Sequence, residues 1–122
     1  MLGYVTLGSN QFDQAASFYD ALFAVCGAKR LMELEGFILW GTSMEAGAIA
    51  LTKPFNQEPA SVGNGVMAAI RANSKEIVDA MHSKALALGG QCEGEPGPRD
   101  DGFYASYFRD LDGNKLAAFF IG

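Results

Sequence analysis

The chain has 122 residues, of which 49% are hydrophobic and 19% charged, and its formal net charge is −5. That length suits one domain with a real core, and an acidic balance with no basic stripe argues against a nucleic-acid partner, because nothing is present to neutralise phosphates. No stretch reaches the ~18 apolar residues of a membrane span, and the opening residues lack the basic start and longer apolar run of a secretory signal, so the expectation is a cytoplasmic protein with no membrane partner.

Leu2 to Gly8 reads as a strand, with Tyr4, Thr6 and Gly8 facing one way and Val5 and Leu7 the other. Ser9-Asn10 then offer a helix cap. Phe12, Ala15, Ala16, Tyr19, Leu22, Phe23 and Cys26 keep helical spacing for four turns, and Gly27 is the expected stop. Three apolar runs follow, Ala28 to Glu33, Phe37 to Thr42 and Ala48 to Lys53, separated by turns at Glu35-Gly36 and Ser43 to Gly47. Pro54 to Gly65 reads as a linker, since Pro54, Pro59, Gly63 and Gly65 interrupt any periodicity.

After the linker the order begins again. Val66 to Arg71 is a strand. Asn73 caps a helix, with Glu76 completing a capping box, and Ile77, Val78, Met81, Ala85 and Leu88 point inward until Gly89-Gly90 end it. A strand starts near Gln91, a loop rich in Gly, Pro and charge runs from Glu93 to Gly102, and Phe103 to Arg109 and Asn114 to Ile121 are the last strands. The tight turn between these two, Asp110 to Asn114, suits Asp-Gly-Asn: glycine tolerates positive φ, and Asp and Asn bond their own backbone.

The expected fold is therefore α+β, a single domain over residues 1–122 made of two βαβββ modules, about 1–60 and 61–122. Such a repeat constrains the whole architecture. Neither module is expected to stand alone, because a sheet with one helix leaves its other face exposed. Side by side they make one curved eight-stranded mixed sheet, with two helices on the convex face and a cleft on the concave face.

Residue chemistry narrows the function. There is no phosphate-cradling glycine loop and no Gly-x-Ser-x-Gly elbow. The one histidine, His82, falls on the second helix, where an exposed or half-exposed place away from the cleft is expected. The carboxylate pairs Asp100-Asp101 and Asp110/Asp112 sit in turns, where solvation or capping explains them. Cys26 and Cys92 have no metal-type spacing and read as reduced thiols, Cys26 buried on its helix; a disulfide between them is the alternative.

The chain resembles the vicinal oxygen chelate superfamily, which includes lactoylglutathione lyases, extradiol dioxygenases, and bleomycin- and fosfomycin-resistance proteins. The matching pieces are Tyr4 to Gly8, Ala16 to Leu22, Gly63 to Met67, Ala85 to Gly90, Gly94 to Arg99, and Tyr107-Phe108-Arg109-Asp110-Leu111-Asp112-Gly113-Asn114-Lys115-Leu116. They keep their order over essentially the whole chain. They specify a fold rather than an activity, because this fold hosts many chemistries.

The resemblance implies where a metal would sit in metal-dependent members. The histidine position of the first strand is Tyr4, that of the second module is Met67, and the glutamate three residues after the Asp-Gly-Asn turn is Ala117. The corresponding place in the first module falls within Ile49 to Leu51. A hard divalent cation needs converging oxygen or imidazole donors, which methionine and alanine do not supply to Zn, Ni or Mn, and a phenol such as Tyr4 is a rare ligand. No cofactor is therefore expected, with a divalent metal as the alternative.

The cleft candidates are Tyr4 and Thr6 on the first strand, Met67 and Ala69 on its counterpart, Trp40, Ala117 with Phe119 on the same face, one of Tyr104 or Tyr107, and Arg99 as a loop residue able to close over an anion. Three readings follow. The first is a protein that binds a small organic molecule in an apolar cleft without a metal. The second is an enzyme, either lactoylglutathione-lyase-like and metal-dependent or using Tyr4 as an acid–base group. The third is a relict site with an interaction role. A homodimer is expected, as superfamily members commonly pair modules within a chain or between chains, although two modules in one chain mean that the fold does not force it.

Overall fold

A computed structural model describes all 122 residues. In chain order the elements are β1 (Tyr4–Gly8), α1 (Phe12–Ala24), β2 (Lys29–Leu34), β3 (Phe37–Gly41), β4 (Ala48–Thr52), β5 (Ala68–Arg71), α2 (Lys75–Ala87), β6 (Gln91–Asp100), β7 (Phe103–Arg109) and β8 (Lys115–Ile121). The order β-α-β-β-β thus occurs twice. No helix is long and apolar enough to cross a membrane.

The two modules share one topology. In the first, the strand order is β1-β4-β3-β2; in the second it is β5-β8-β7-β6. Each opening strand runs parallel to the last strand of its own module, and the remaining pairs are antiparallel. The expected eight-stranded sheet is realised as two four-stranded mixed sheets. No hydrogen-bond ladder joins β1 to β5, so each of these strands keeps a free edge.

Side chains, rather than a ladder, hold the modules together. A single core of buried residues runs through both, with Leu22, Trp40 and Leu51 from the first and Val78, Met81 and Phe108 from the second. The acidic turn between β7 and β8 supplies the polar part. Asp110 is 4% exposed, and its carboxylate accepts from the backbone N–H groups of Asp112 (2.9 Å) and Asn114 (2.8 Å), from Asn114 Nδ2 (2.9 Å), and from the Tyr19 hydroxyl on α1. Asn114 Nδ2 also donates to Gly8 O (3.0 Å), the Asn10 N–H to Asp112 Oδ1 (2.9 Å), and Gln11 Nε2 to Leu111 O (3.2 Å). The acidic turn is therefore a latch onto the β1–α1 corner. Burial, reinforced by the Asp110 charge, pushes the Tyr19 phenol well above its usual range.

Several local expectations are corrected. Ser9 and Asn10 do not cap α1: the N-cap is Gln11, with no side-chain cap bond. Asn10 instead pairs with the linker, accepting from Ala60 N (2.7 Å) and donating to Ala60 O (2.9 Å). The helix ends at Ala24, so Cys26 lies in the turn that follows, where the Ala28 N–H reaches back to Phe23 O (3.0 Å) across Gly27 at φ 81°. Ser74, not Asn73, caps α2, its Oγ accepting from Ile77 N at 3.2 Å. Val66 and Met67 precede β5 rather than belonging to it.

The Gly- and Pro-rich stretch from Glu93, expected as a loop, is most of β6. It qualifies as a strand because it lies at a sheet edge, where proline loses no ladder bond. Irregularities between Cys92 and Gly94, Gly94 and Gly97, and Pro98 and Asp100 bend it repeatedly.

Candidate functional site

The free edges of β1 and β5 border a cavity of about 640 Å³. Its walls are β1, the start of β4, the segment Val66 to Arg71, and, on the helix side, the residues around the end of α1. Sixteen of its twenty-two lining residues are hydrophobic, and Arg71 is the single charged one.

Alternation along each strand determines which side chains reach it. Tyr4 is 52% exposed, and its ring meets Phe37 edge-on at 5.9 Å. Thr6, Met67 and Ala69 also line the cavity. Trp40 lies on the helix face of its sheet: it is 2% exposed, packs against Tyr19 and Phe23, and closes the inner end of the cavity. Its indole N–H donates to Asp20 Oδ1 (2.8 Å), and Arg30 grips both Asp20 oxygens (2.8 and 2.7 Å) while lying over the indole ring. Hydrogen bonding from the Arg30 guanidinium holds the Asp20 carboxyl below the usual carboxylate range.

The other five sequence candidates lie outside this cavity. Tyr107, not Tyr104, faces away from the helices, in register with Ala117. Its ring sits beneath both Arg99 (5.3 Å) and Lys115 (5.5 Å). Arg99 belongs to β6 rather than to a mobile loop, and it donates to Gly97 O (2.9 Å) and Glu95 O (2.5 Å). Gly94 leaves room for this arrangement, since a Cβ there would come within 2.9 Å of the Tyr107 ring. Tyr104 turns to α2, where its hydroxyl donates to Asp79 (2.7 Å). Ala117 is 2% exposed, and Phe119 stacks on Phe103 at 5.6 Å.

Arg71 and Asn73 were missed as cavity residues. Strand alternation carries the signal for Arg71, which shares the face of Ala69. Cys26 also lines the cavity, and burial raises its thiol pKa.

The positions at which the resemblance implies metal ligands carry few donors. Tyr4, Met67, Ala117 and the apolar Ile49 to Leu51 offer one phenol and no carboxylate, imidazole or thiolate. His82 corrects a further expectation: it is 3% exposed, not at the surface, its Nε2 lies 3.3 Å from Cys92 Sγ, and it is not part of the cavity lining. Both cysteines are free.

Several solved structures share this fold. A glyoxalase/bleomycin resistance protein from Albidiferax ferrireducens T118 superposes with a TM-score of 0.92 at 34% identity, covering 100% of this chain and 99% of that one. A glyoxalase/bleomycin resistance protein/dioxygenase family enzyme from Burkholderia phytofirmans PsJN gives 0.77 at 16% identity, covering 98% of each chain. A lactoylglutathione lyase from Agrobacterium tumefaciens gives 0.71 at 22% identity over 98% of this chain and 92% of that one, a likeness of fold alone. A comparison with curated proteins finds no match. A family profile matches residues 1–118, and with it the chain belongs to the Glyoxalase/Bleomycin resistance protein/Dioxygenase superfamily.

Proposed function

We propose that this protein binds a small, largely apolar organic molecule in the cavity between β1 and β5, without a metal at that site. One observation carries the reading: a cavity of about 640 Å³ with a mostly hydrophobic lining, within the ~300–1,000 Å³ of ordinary ligand pockets. Its volume favours an open binding site over a relict filled by its own side chains. The lyase alternative needs a metal to polarise a carbonyl, and the cleft donors do not suit one. As the one charged group in the lining, Arg71 favours a ligand with an anionic or acceptor group at one end of an apolar body.

The same reading includes a homodimer. Leu2, Tyr4, Val66 and Met67 rim the cavity and are 65%, 52%, 61% and 42% exposed, and a second copy would cover them. Light scattering that finds only a 13.0 kDa species removes the dimer and leaves the binding reading standing. Two free thiols suit a reducing compartment such as the cytoplasm.

The test is a thermal-shift screen in excess EDTA with aromatic acids, glutathione conjugates and planar cationic antibiotics. A ligand at about 100 times its Kd adds ~2.7 kcal/mol, roughly 10 °C for a domain of this size. The expected hit is an aromatic acid whose shift shrinks in Arg71→Gln and disappears in Ala69→Trp. A screen without any shift overturns the reading, and so does a shift that both variants leave intact.

A further inference from the structure

We infer that His82, Cys92 and Glu95 form a binding site for a borderline-soft divalent cation of the Zn²⁺ class, on the helix side of β6 and separate from the cavity. None of the three residues lines that cavity. Their donor atoms, the His82 ring nitrogen, Cys92 Sγ and a Glu95 carboxylate oxygen, all lie within 4.8 Å of one another.

The backbone brings them together in a way that a regular strand does not. Residues three apart on a strand point to opposite faces. Cys92 and Glu95 nevertheless converge, because β6 is irregular between Cys92 and Gly94 and again between Gly94 and Gly97. Each irregularity re-aims the side chains that follow. His82 completes the group from α2, where it is 3% exposed and held edge-on against Phe108 at 6.4 Å between ring centres.

Both separations from the sulfur match a tetrahedral ion, and the third, from the His82 nitrogen to the Glu95 oxygen, lies within 4.8 Å. With bonds of about 2.3 Å to sulfur, 2.0 Å to nitrogen and 2.1 Å to oxygen, tetrahedral angles separate sulfur from nitrogen by about 3.5 Å and sulfur from oxygen by about 3.6 Å. Here Nε2 lies 3.3 Å from Sγ, and Sγ lies 3.5 Å from Glu95 Oε1. The donor set also selects the ion: thiolate and imidazole favour Zn²⁺ and Co²⁺ over Mg²⁺ and Ca²⁺, which take oxygen. Cys92 and Glu95 are exposed, so the fourth position opens to water.

The test is Co²⁺ titration of the reduced, chelator-stripped full chain, followed by Zn²⁺ competition. The expected result is one Co²⁺ per chain, a near-ultraviolet thiolate-to-cobalt charge-transfer band, and the strong visible absorption of tetrahedral cobalt, all removed by stoichiometric Zn²⁺. Cys92→Ser abolishes the charge-transfer band. Glu95→Gln, at an exposed residue that does not threaten the fold, weakens binding at least about tenfold, since loss of an outer-shell partner alone costs that much. His82→Gln does the same, with circular dichroism confirming that the variant folds. The inference is overturned if no charge-transfer band appears, if one metal bridges two chains, or if the band keeps its affinity in Glu95→Gln. Failure here leaves the cavity reading intact, because the ligand screen is run in EDTA. Conversely, a Zn²⁺-induced thermal shift that survives in Cys92→Ser places a metal elsewhere and counts against a metal-free cleft.

Discussion

Tyr19 shows how a single hydroxyl joins the two halves of the molecule. It is fully buried on α1, and its hydrogen bond to Asp110 crosses from the first module to the second. Tyr19→Phe keeps the ring packing and removes one of four donors from a buried carboxylate, so a loss of about 2 kcal/mol in urea unfolding is expected. The bond also makes stability depend on pH. The folded phenol titrates well above its unfolded value of 10.0. Its contribution is therefore complete below about pH 10 and is lost as pH rises through the folded value. The wild type should lose stability above pH 10 more steeply than Tyr19→Phe, and parallel slopes would contradict this account. The two thiols give a second check. Cys92 is exposed, whereas Cys26 is half-buried with its thiol pKa raised by burial. Iodoacetamide should label Cys92 first, and a cavity ligand should slow the later labelling of Cys26.

At the scale of elements, most of the chain follows from its own periodicity. Helical spacing from Phe12 marks α1, alternation marks β1, and apolar runs mark β2, β3 and β4, all within two residues of their observed ends. The departures have physical causes. β6 reads as a loop because glycine and proline break every local strand signal, yet an edge position and backbone bulges accommodate both. Asn73 and Ser74 are both good caps by residue type, and only backbone geometry separates them. Ser74→Ala should cost α2 about 1 kcal/mol, and Asn73→Ala much less; the reverse order in thermal unfolding would restore Asn73 as the cap. Tyr4 and Thr6, which alternation puts on one face of β1, line the cavity, and so do Met67 and Ala69 at and beside the start of β5. Arg99, Tyr107, Ala117 and Phe119 do not join them, because which sheet face meets which depends on how the modules dock, and docking is set by long-range packing. The meeting of His82 with Cys92 and Glu95 was hidden likewise, since the bulges that turn Glu95 leave no periodic trace.

At the scale of the whole molecule, the cavity exists because the sheets approach edge to edge without pairing. An unpaired gap of this kind stays open only if something else fixes the distance across it. Two features do so here: the shared core running from Leu22 and Trp40 to Met81 and Phe108, and the latch of Asp110, Asp112 and Asn114 onto the β1–α1 corner. Each module alone would expose its half of that core to water, so the halves are expected to unfold together. The sequence offers a direct probe, because Trp40 is the single tryptophan and sits wholly within the first module. Its fluorescence reports the first module, while far-ultraviolet circular dichroism reports helices and strands of both. Superimposed urea transitions from the two probes are the expected outcome. In Asn114→Ala, which cuts the bonds to Gly8 and Asp110 together, the midpoint should fall while the two curves remain superimposed, because the apolar core still couples the modules. A tryptophan transition that separates from the dichroism curve in the wild type would mean that the modules open independently, and a ligand site built from both would then be only transiently formed.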